Sequence, residues 1–262
     1  MAASLTDLLK SIVESKAVLD AARPLPQHTL ASLREKWMLE WTYHSNAIEG
    51  NTLTLRETKV VLEGITVGGK SLREHIEASN HRDAILYLEA IVSEGEPLTE
   101  WQLRNIHRLV LKAIDDDQAG RYRSENVAIS GPRTTPVDHL QLPQTMADFV
   151  SWYGRAGLMS PVERAAELHT RFVKNHPFID GNGLTGRLLL NFELMKSGYP
   201  PAVIRKEDRL AYYDALDEAC VSGEYVGITT LVAEAVLRSL EIYLDLLGLK
   251  KGPAPRRDDP ER

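Results

Sequence analysis

The amino-acid sequence predicts an all-α protein with one small β element. Apolar residues recur at three- and four-residue steps along most of the 262 residues, the spacing of one face of an α-helix. Residues that cap helices precede several of these segments. Residues 120–143 differ, because an apolar run beside Gly131-Pro132 and Thr135-Pro136 is typical of a small β-hairpin or extended flap.

The composition excludes several classes of protein. With 43% hydrophobic and 26% charged residues, the chain can build a core and is not disordered. A net charge of −6 argues against a general nucleic-acid-binding protein. The single cysteine, Cys220, excludes a disulfide framework and a multi-cysteine metal site. No apolar run approaches the roughly 20 residues of a membrane span, and acidic residues interrupt the N-terminal apolar pattern, so we expect a cytoplasmic protein without a membrane partner.

Proline and polar turns separate the predicted helices of the N-terminal half. Pro24 ends the first helix, because proline disfavours helical geometry in the residue before it. The polar stretch 45–51 breaks the second helix, and Thr54 with Glu57 forms a capping box that opens the third. We expect these helices at residues 4–22, 29–43, 54–63, 72–92 and 99–114.

The C-terminal half contains the clearest helix start of the sequence. Ser160, Pro161 and Glu163 supply a cap, an N1 proline and an N3 glutamate. The apolar pattern places further helices at residues 144–153, after the loop at 176–183, at 206–221 and at 227–246. Residues 250–262 have no periodic apolar pattern, so we expect a disordered tail.

Residues 176–187 have the sequence HPFIDGNGLTGR and contain the parts of a phosphate site. The backbone N–H groups of Gly181, Asn182 and Gly183 are closely spaced in a turn that opens a helix. Such a turn binds anions through its N–H donors and the positive end of the helix dipole. Arg187 lies one turn beyond Gly183 and adds a bidentate donor for phosphate.

Two further side chains in this segment supply a metal ligand and a base. Asp180 lies beside the loop, and a carboxylate next to bound phosphates is what Mg²⁺ requires. His176 is the group of the segment that accepts a proton near neutral pH. The pattern therefore predicts a site for a magnesium-bound nucleotide with a general base beside its phosphates.

The same segment resembles the signature of the Fic family, His-Pro-Phe-x-Asp/Glu-Gly-Asn-Gly-Arg-x-x-Arg, and matches every fixed position but one. The preceding helix, at 166–173, and the continuation at 188–191 are also similar to that family, and the resemblance covers about residues 45–246. It implies a Fic-fold helical bundle. It also implies transfer of AMP from ATP to a Ser, Thr or Tyr hydroxyl of a target protein.

The resemblance assigns roles to the matching residues. It makes His176 the base that deprotonates the target hydroxyl and Asp180 the ligand of Mg²⁺. It assigns nucleotide binding to Gly181, Asn182, Gly183 and Arg187, with the γ-phosphate on Arg187.

Leu184 is the departure from the signature, because the family has an arginine there that helps to bind the phosphates. Leucine removes a charge-assisted contact of roughly 1.5–3 kcal/mol. The activity would then be weak, or the nucleotide donor would differ. Alternatively, Leu184 simply packs against the start of its helix.

An upstream hexapeptide resembles the inhibitory motif of the same family, Ser/Thr-x-x-x-Glu-Gly/Asn. Its residues here are Ser45, Glu49 and Gly50. The resemblance implies that Glu49 pairs with Arg187 and thereby excludes the γ-phosphate, because the carboxylate occupies the guanidinium and repels the phosphate.

Residues 122–130 resemble the flap of Fic proteins. An exposed extended edge binds a target segment through main-chain hydrogen bonds, whatever the target's sequence. We expect Val127, Ala128 and Ile129 to bind the target in this way and to bring its hydroxyl to His176.

The resemblance also suggests a division of the chain and a set of partners. The cofactors are ATP and Mg²⁺, and the partner is a target protein; a homodimer stays open, because relatives form dimers that tune the inhibition. The expected parts are N-terminal helices (1–44), an inhibitory helix region (45–64), a Fic core (65–200), C-terminal helices (201–249) and the tail (250–262).

Three alternatives to AMP transfer stay open. The chain is a deAMPylase or uses another nucleotide donor, or it is a non-catalytic nucleotide-binding module in which Leu184 has ended turnover. A kinase, as in the related Doc toxins, is disfavoured, because those carry Lys in place of Gly183.

Overall fold

Ten α-helices and two short 3₁₀ turns form the part of the chain that the computed structural model describes, which is residues 4–129, 131 and 133–249. The predicted disordered tail at 250–262 lies outside these residues. No helix in the described ranges is long and apolar enough to cross a membrane. The helices are α1 (Leu5–Ala21), α2 (Gln27–Ile48), α3 (Leu55–Leu62), α4 (Leu72–Ser93), α5 (Glu100–Leu111), α6 (Leu142–Arg155), α7 (Pro161–Asn175), α8 (Asn182–Lys196), α9 (Arg209–Ser222) and α10 (Val226–Leu246).

Capping boxes begin several of these helices, as local sequence predicts. At α3 the Thr54 side chain accepts from the Glu57 N–H while the Glu57 carboxylate accepts from the Thr54 N–H. Ser160 and Glu163 make the same exchange at α7, with Pro161 in the first turn. Each cap contributes about 1 kcal/mol, and the predicted starts of α3 and α7 are confirmed.

Helix α8 runs through the centre of the molecule and is buried on nearly every side. Leu190 and Leu194 belong to an apolar cluster shared with α1, α9 and α10. Leu188 and Phe192 belong to a second cluster shared with α2, α4, α5 and α6. Because α8 is buried on nearly every side, the loop that precedes it is attached to a fixed element of the core.

Helix α2 ends at Ile48, within the predicted break at 45–51 but beyond the predicted last helical residue, Tyr43. Asn46 donates through Nδ2 to the Thr42 carbonyl within the helix, at 2.9 Å, and Ser45 is buried against α8. One side chain thus has its partner within α2 and the other on α8, and the helix continues through both residues. Glu49 is its C-cap, and Gly50 begins the turn with φ 100°. The expected boundary between residues 44 and 45 falls within α2.

The predicted β-hairpin is not formed: the described residues of 120–143 contain no strand. Hydrogen bonds between side chains and backbone groups replace the backbone hydrogen bonds that a hairpin would form. Arg123 donates to the carbonyls of Glu125 and Val137, and Asn126 accepts from the His139 N–H. The segment is therefore an irregular flap.

Three tryptophans of the helices differ in burial. Trp37 and Trp41 are 4% and 3% exposed, whereas Trp101 is 64% exposed. Trp101 lies on the face of α5 away from the buried Leu103 and Ile106. Helix α5 is therefore buried on one face only.

Candidate active site

The loop between α7 and α8 is held by its own polar side chains. His176 is the C-cap of α7 with φ 45° and ψ 58°, a left-handed conformation that turns the chain toward α8. Asn182 accepts from the Phe178 N–H at 3.0 Å and donates to the Phe178 carbonyl at 2.8 Å. The amide of Asn182 thus closes the loop, and only its backbone is left to face a phosphate.

His107 on α5 packs against this loop and hydrogen-bonds to it. Its ring stacks on Phe178 with centroids 3.5 Å apart. The Gly120 N–H donates to Nδ1, so Nε2 carries the proton and donates to the Asp180 carbonyl at 2.9 Å. Burial lowers the pKa of His107 to about 4, which keeps the ring neutral. Sequence reasoning missed this role, because a histidine on a helix face gives no signal of its distant partners.

A cavity of about 430 Å³ opens in front of the loop. The loop and α8 contribute His176, Asn182, Gly183 and Arg187, and Glu49 enters from the end of α2. The opposite walls come from α9 and the flap, and include Arg209, Tyr212, Tyr213, Asp217, Cys220, Ile129, Gly131 and Thr134. Six of the thirteen predicted site residues thus line one cavity: Glu49, Ile129, His176, Asn182, Gly183 and Arg187.

His176 lies half-buried at this cavity. Burial is the main cause that lowers its pKa to about 4, and the Arg123 guanidinium adds to the effect, while Glu49 and Asp180 oppose it. The imidazole is therefore neutral near pH 7 and able to accept a proton.

Arg187 is 3% exposed and holds the end of α2. It donates from Nε to the Ser45 hydroxyl at 2.9 Å and from Nη2 to the Ser45 carbonyl at 2.8 Å. Nη2 is also 2.8 Å from Oε1 of Glu49. Burial opposes the charge, but the Glu49 carboxylate raises the pKa of Arg187 above its usual value. Arg187 is a permanent cation at this cavity.

Glu49 lies directly against the first turn of α8. A Cβ atom at Gly183 would stand 2.2 Å from Oε1 of Glu49, closer than any real contact. A side chain at position 183 would therefore force the Glu49 carboxylate to move from its present position. The negative charge of Glu49 lies at the N-terminus of α8, where the helix dipole favours an anion.

Asp180 is exposed, is not one of the residues that line the cavity, and pairs with Arg73 of α4 at 2.7 Å. Its Oδ1 also accepts from the Gly181 N–H at 2.7 Å. The described residues contain no group of three or more His, Cys, Asp or Glu side chains that would hold a metal ion. Asp180 is thus a single carboxylate, and a metal there needs ligands from a substrate and water.

Leu184 does not line the cavity; it is 8% exposed and belongs to the core cluster around Phe178. The side chain packs inward, which is the alternative that the sequence left open. Arg209 of α9 supplies a second cation to the cavity wall.

The flap closes one side of the cavity and is tied to α9. Val127 and Ile129 are half-buried, Ala128 is exposed, and Ile129 reaches the cavity. Asp217 accepts from the backbone N–H groups of Arg133 and Thr134 at 3.0 and 3.1 Å, and from the Thr134 hydroxyl at 2.8 Å.

Comparison with known proteins points to one family. The model of the Fic/DOC family matches residues 97–194. The protein adenylyltransferase fic-1 of Caenorhabditis briggsae is 35% identical over 242 residues, which are 89% of this chain and 47% of the relative. The protein adenylyltransferase Fic of Aedes aegypti is 37% identical over 221 residues, covering 83% and 44%. The chain thus spans about half the length of the curated relatives it matches.

Solved structures show the same fold. A Fic domain-containing signalling protein from Bacteroides thetaiotaomicron superposes with a TM-score of 0.85 at 30% identity, over 93% of this chain and 100% of the other. Fic-1 from Caenorhabditis elegans superposes with a TM-score of 0.82 at 32% identity, over 92% and 73%. The similarity therefore extends over nearly the whole chain.

Proposed function

This chain belongs to the Fic/DOC family, and on that premise we propose that it transfers AMP from ATP to a hydroxyl group of a target protein. The observation that carries the proposal is that a neutral imidazole, a helix N-terminus and a buried guanidinium face one cavity. The names of its relatives, protein adenylyltransferases, support the same reaction.

His176 acts as the base in the proposed reaction. The target hydroxyl oxygen attacks the α-phosphorus of ATP, and its proton passes to the imidazole. The bond from the α-phosphorus to the bridging oxygen breaks, and pyrophosphate leaves. Burial lowers the pKa of His176 to about 4, so the imidazole is free of a proton near pH 7 and is able to accept one.

The first turn of α8 binds the phosphates. Asn182 and Gly183 line the cavity, and the N–H groups of a first helical turn together with the helix dipole favour negative charge there. Arg187 then binds the γ-phosphate through its guanidinium. The Asn182 side chain acts indirectly, by fixing the loop through Phe178.

Asp180 is the residue that would hold Mg²⁺. A single exposed carboxylate suits this ion, which commonly binds through one or two carboxylates, substrate phosphates and water. The bound ion would neutralise charge on the phosphates. Arg73 would have to release Asp180, because Arg73 and the ion would bind the same carboxylate.

Glu49 acts as an internal inhibitor. Its carboxylate occupies the guanidinium that the γ-phosphate needs and lies against Gly183, where the phosphate chain would pass. Two negative groups cannot share this position without a large repulsion. Transfer therefore requires Glu49 to move, and a homodimer is one arrangement that would control this movement.

The flap binds the target. Ala128 is exposed between the half-buried Val127 and Ile129, and Ile129 reaches the cavity that holds His176. A target segment that runs beside these residues would bring a hydroxyl to the imidazole.

Three other functions compete with AMP transfer. Removal of AMP or use of another donor fits the same cavity. A non-catalytic nucleotide-binding module is favoured by one observation: Leu184 packs into the core and adds no charge at the phosphates.

Labelling with ATP that carries radioactive phosphorus at the α-position separates these functions. We expect label in protein with Glu49→Gly, less with the native chain and none with His176→Ala. Binding of ATP without label in any form would instead indicate the module.

A further inference from the structure

Arg123 is a buried cation at the base of the flap, 3% exposed. Its hydrogen bonds run to carbonyl and amide oxygens rather than to a carboxylate: Nη1 donates to the Glu125 carbonyl at 2.9 Å and to Oδ1 of Asn126 at 3.4 Å, and Nη2 donates to the Val137 carbonyl. Burial of a charge is costly unless its donors are all used. One guanidinium thus ties both ends of the flap together.

Arg123 also binds the backbone of the loop between α7 and α8. Nε donates to the His176 carbonyl at 2.9 Å, and the Arg123 N–H donates to the Pro177 carbonyl, also at 2.9 Å. These two carbonyls follow the left-handed turn at His176, a conformation that a residue with a side chain adopts only when its surroundings enforce it.

We propose that Arg123 is a positioning residue that fixes the His176–Pro177 backbone, and with it the imidazole, relative to the target-binding flap. This proposal rests on the proposed function of the site. Because the phosphate contacts lie on α8, the loss of Arg123 lowers the rate of transfer more than the affinity for ATP.

The charge of Arg123 adds a second, measurable effect. The charged groups that act on the His176 imidazole are Arg123, Glu49 and Asp180. Arg123 disfavours protonation, whereas the two carboxylates favour it. Removal of the guanidinium charge therefore raises the pKa of His176. Lysine at position 123 preserves the positive charge and should leave this pKa close to its native value.

The test compares Arg123→Gln, Arg123→Lys and, as a matched control at an exposed position, Arg121→Gln. The His176 imidazole is titrated by NMR in the full chain, with its signal assigned by its loss in His176→Gln. We expect Arg123→Gln to raise the pKa of His176 by about one pH unit. Arg123→Lys and Arg121→Gln should leave it near the native value.

Kinetics of AMP transfer give the second readout, measured with each change added to Glu49→Gly. Both Arg123 variants should lower kcat about ten- to hundredfold, with the KM for ATP within about twofold. Arg121→Gln should change neither constant. If Arg123→Gln does not fold, Arg123→Lys decides the proposal through kcat against KM.

Two results would overturn the proposal. One is an unchanged kcat in Arg123→Lys. The other is a combination seen in folded Arg123→Gln: the pKa of His176 is unchanged, and kcat and the affinity for ATP fall together. That combination is expected of a residue with a merely structural role. The NMR titration needs no turnover, so absence of AMP transfer in every form would refute the proposed function and leave the pKa comparison readable.

Discussion

The carboxylate of Glu49 lies 2.8 Å from Nη2 of Arg187, at the first turns of α8. Ser45, one turn earlier on α2, accepts two further hydrogen bonds from the same guanidinium. Arg187 is buried, but the Glu49 side chain is 37% exposed, so the carboxylate is the partner that can leave. The pair therefore links the position of α2 to the availability of the proposed phosphate site.

Replacement of Glu49 by glutamine should strengthen the binding of ATP. The amide keeps the size of the side chain but removes the charge that competes with the γ-phosphate. A charge-assisted contact of about 1.5–3 kcal/mol corresponds to a roughly ten- to hundredfold lower Kd. Calorimetry with Mg²⁺ and ATP measures it, with Glu63→Gln at an exposed position as the control. Equal Kd values for native and Glu49→Gln proteins would refute the competition.

Restoring the family's arginine at position 184 should have two opposite effects. ATP binding should tighten, because a charged arginine would leave the core, where Leu184 packs, and could turn toward the phosphates. The free energy of unfolding should fall by about 2 kcal/mol, because Leu184 leaves the core cluster. Calorimetry and urea unfolding measure the two effects, and Leu184→Met, which preserves volume, controls for the change in packing. Unchanged affinity would show that position 184 does not reach the phosphates.

Asp217 should hold the flap closed. It accepts hydrogen bonds from the N–H groups of Arg133 and Thr134, and also from the Arg133 guanidinium at 2.9 Å. Asp217→Asn weakens these contacts, so trypsin should cleave after Arg133 about tenfold faster. Glu218→Gln is the matched control, because Glu218 contacts only the end of the Arg133 guanidinium. Identical cleavage rates in Asp217→Asn and native protein would show that Asp217 does not restrain the flap.

Stability should fall as the pH drops from about 6.5 toward 4. Burial lowers the pKa of His81 and His169 to about 3 in the folded protein, below the usual value of about 6.5 in an unfolded chain. The unfolded chain therefore binds more protons in this window, so the stability present above pH 6.5 is lost as these histidines gain protons on unfolding.

Urea unfolding near pH 7 and near pH 5 checks this dependence. Each such histidine should contribute a slope of about 1 kcal/mol per pH unit. His169→Gln should flatten the dependence, whereas His28→Gln, at an exposed position, should not. A slope that His169→Gln leaves unchanged would assign the acid sensitivity to other groups.

Local rules predicted most of the helices, because their starts are encoded in adjacent residues. Thr54 with Glu57 and Ser160 with Glu163 form the capping boxes that the sequence indicates. The end of α2 escaped prediction because Ser45 is satisfied by Arg187, a partner far along the chain. The flap escaped for the same reason, since its carbonyls are bound by side chains instead of a strand.

The sequence indicated which residues belong to the candidate site, but it did not indicate the hydrogen bonds that hold them in place. The signature placed His176, Gly183 and Arg187 in one segment, and the structure brings them to one cavity. The roles of Arg123 and His107 depend on hydrogen bonds to backbone carbonyls, and such bonds leave no pattern in the sequence.

A crystal structure of Glu49→Gly with Mg²⁺ and a non-hydrolysable ATP analogue tests the central claim most directly. We expect the triphosphate on the N–H groups at the start of α8, its γ-phosphate on Arg187 and its α-phosphorus facing the His176 imidazole. An empty cavity, or a nucleotide whose α-phosphorus lies away from His176, would contradict the account.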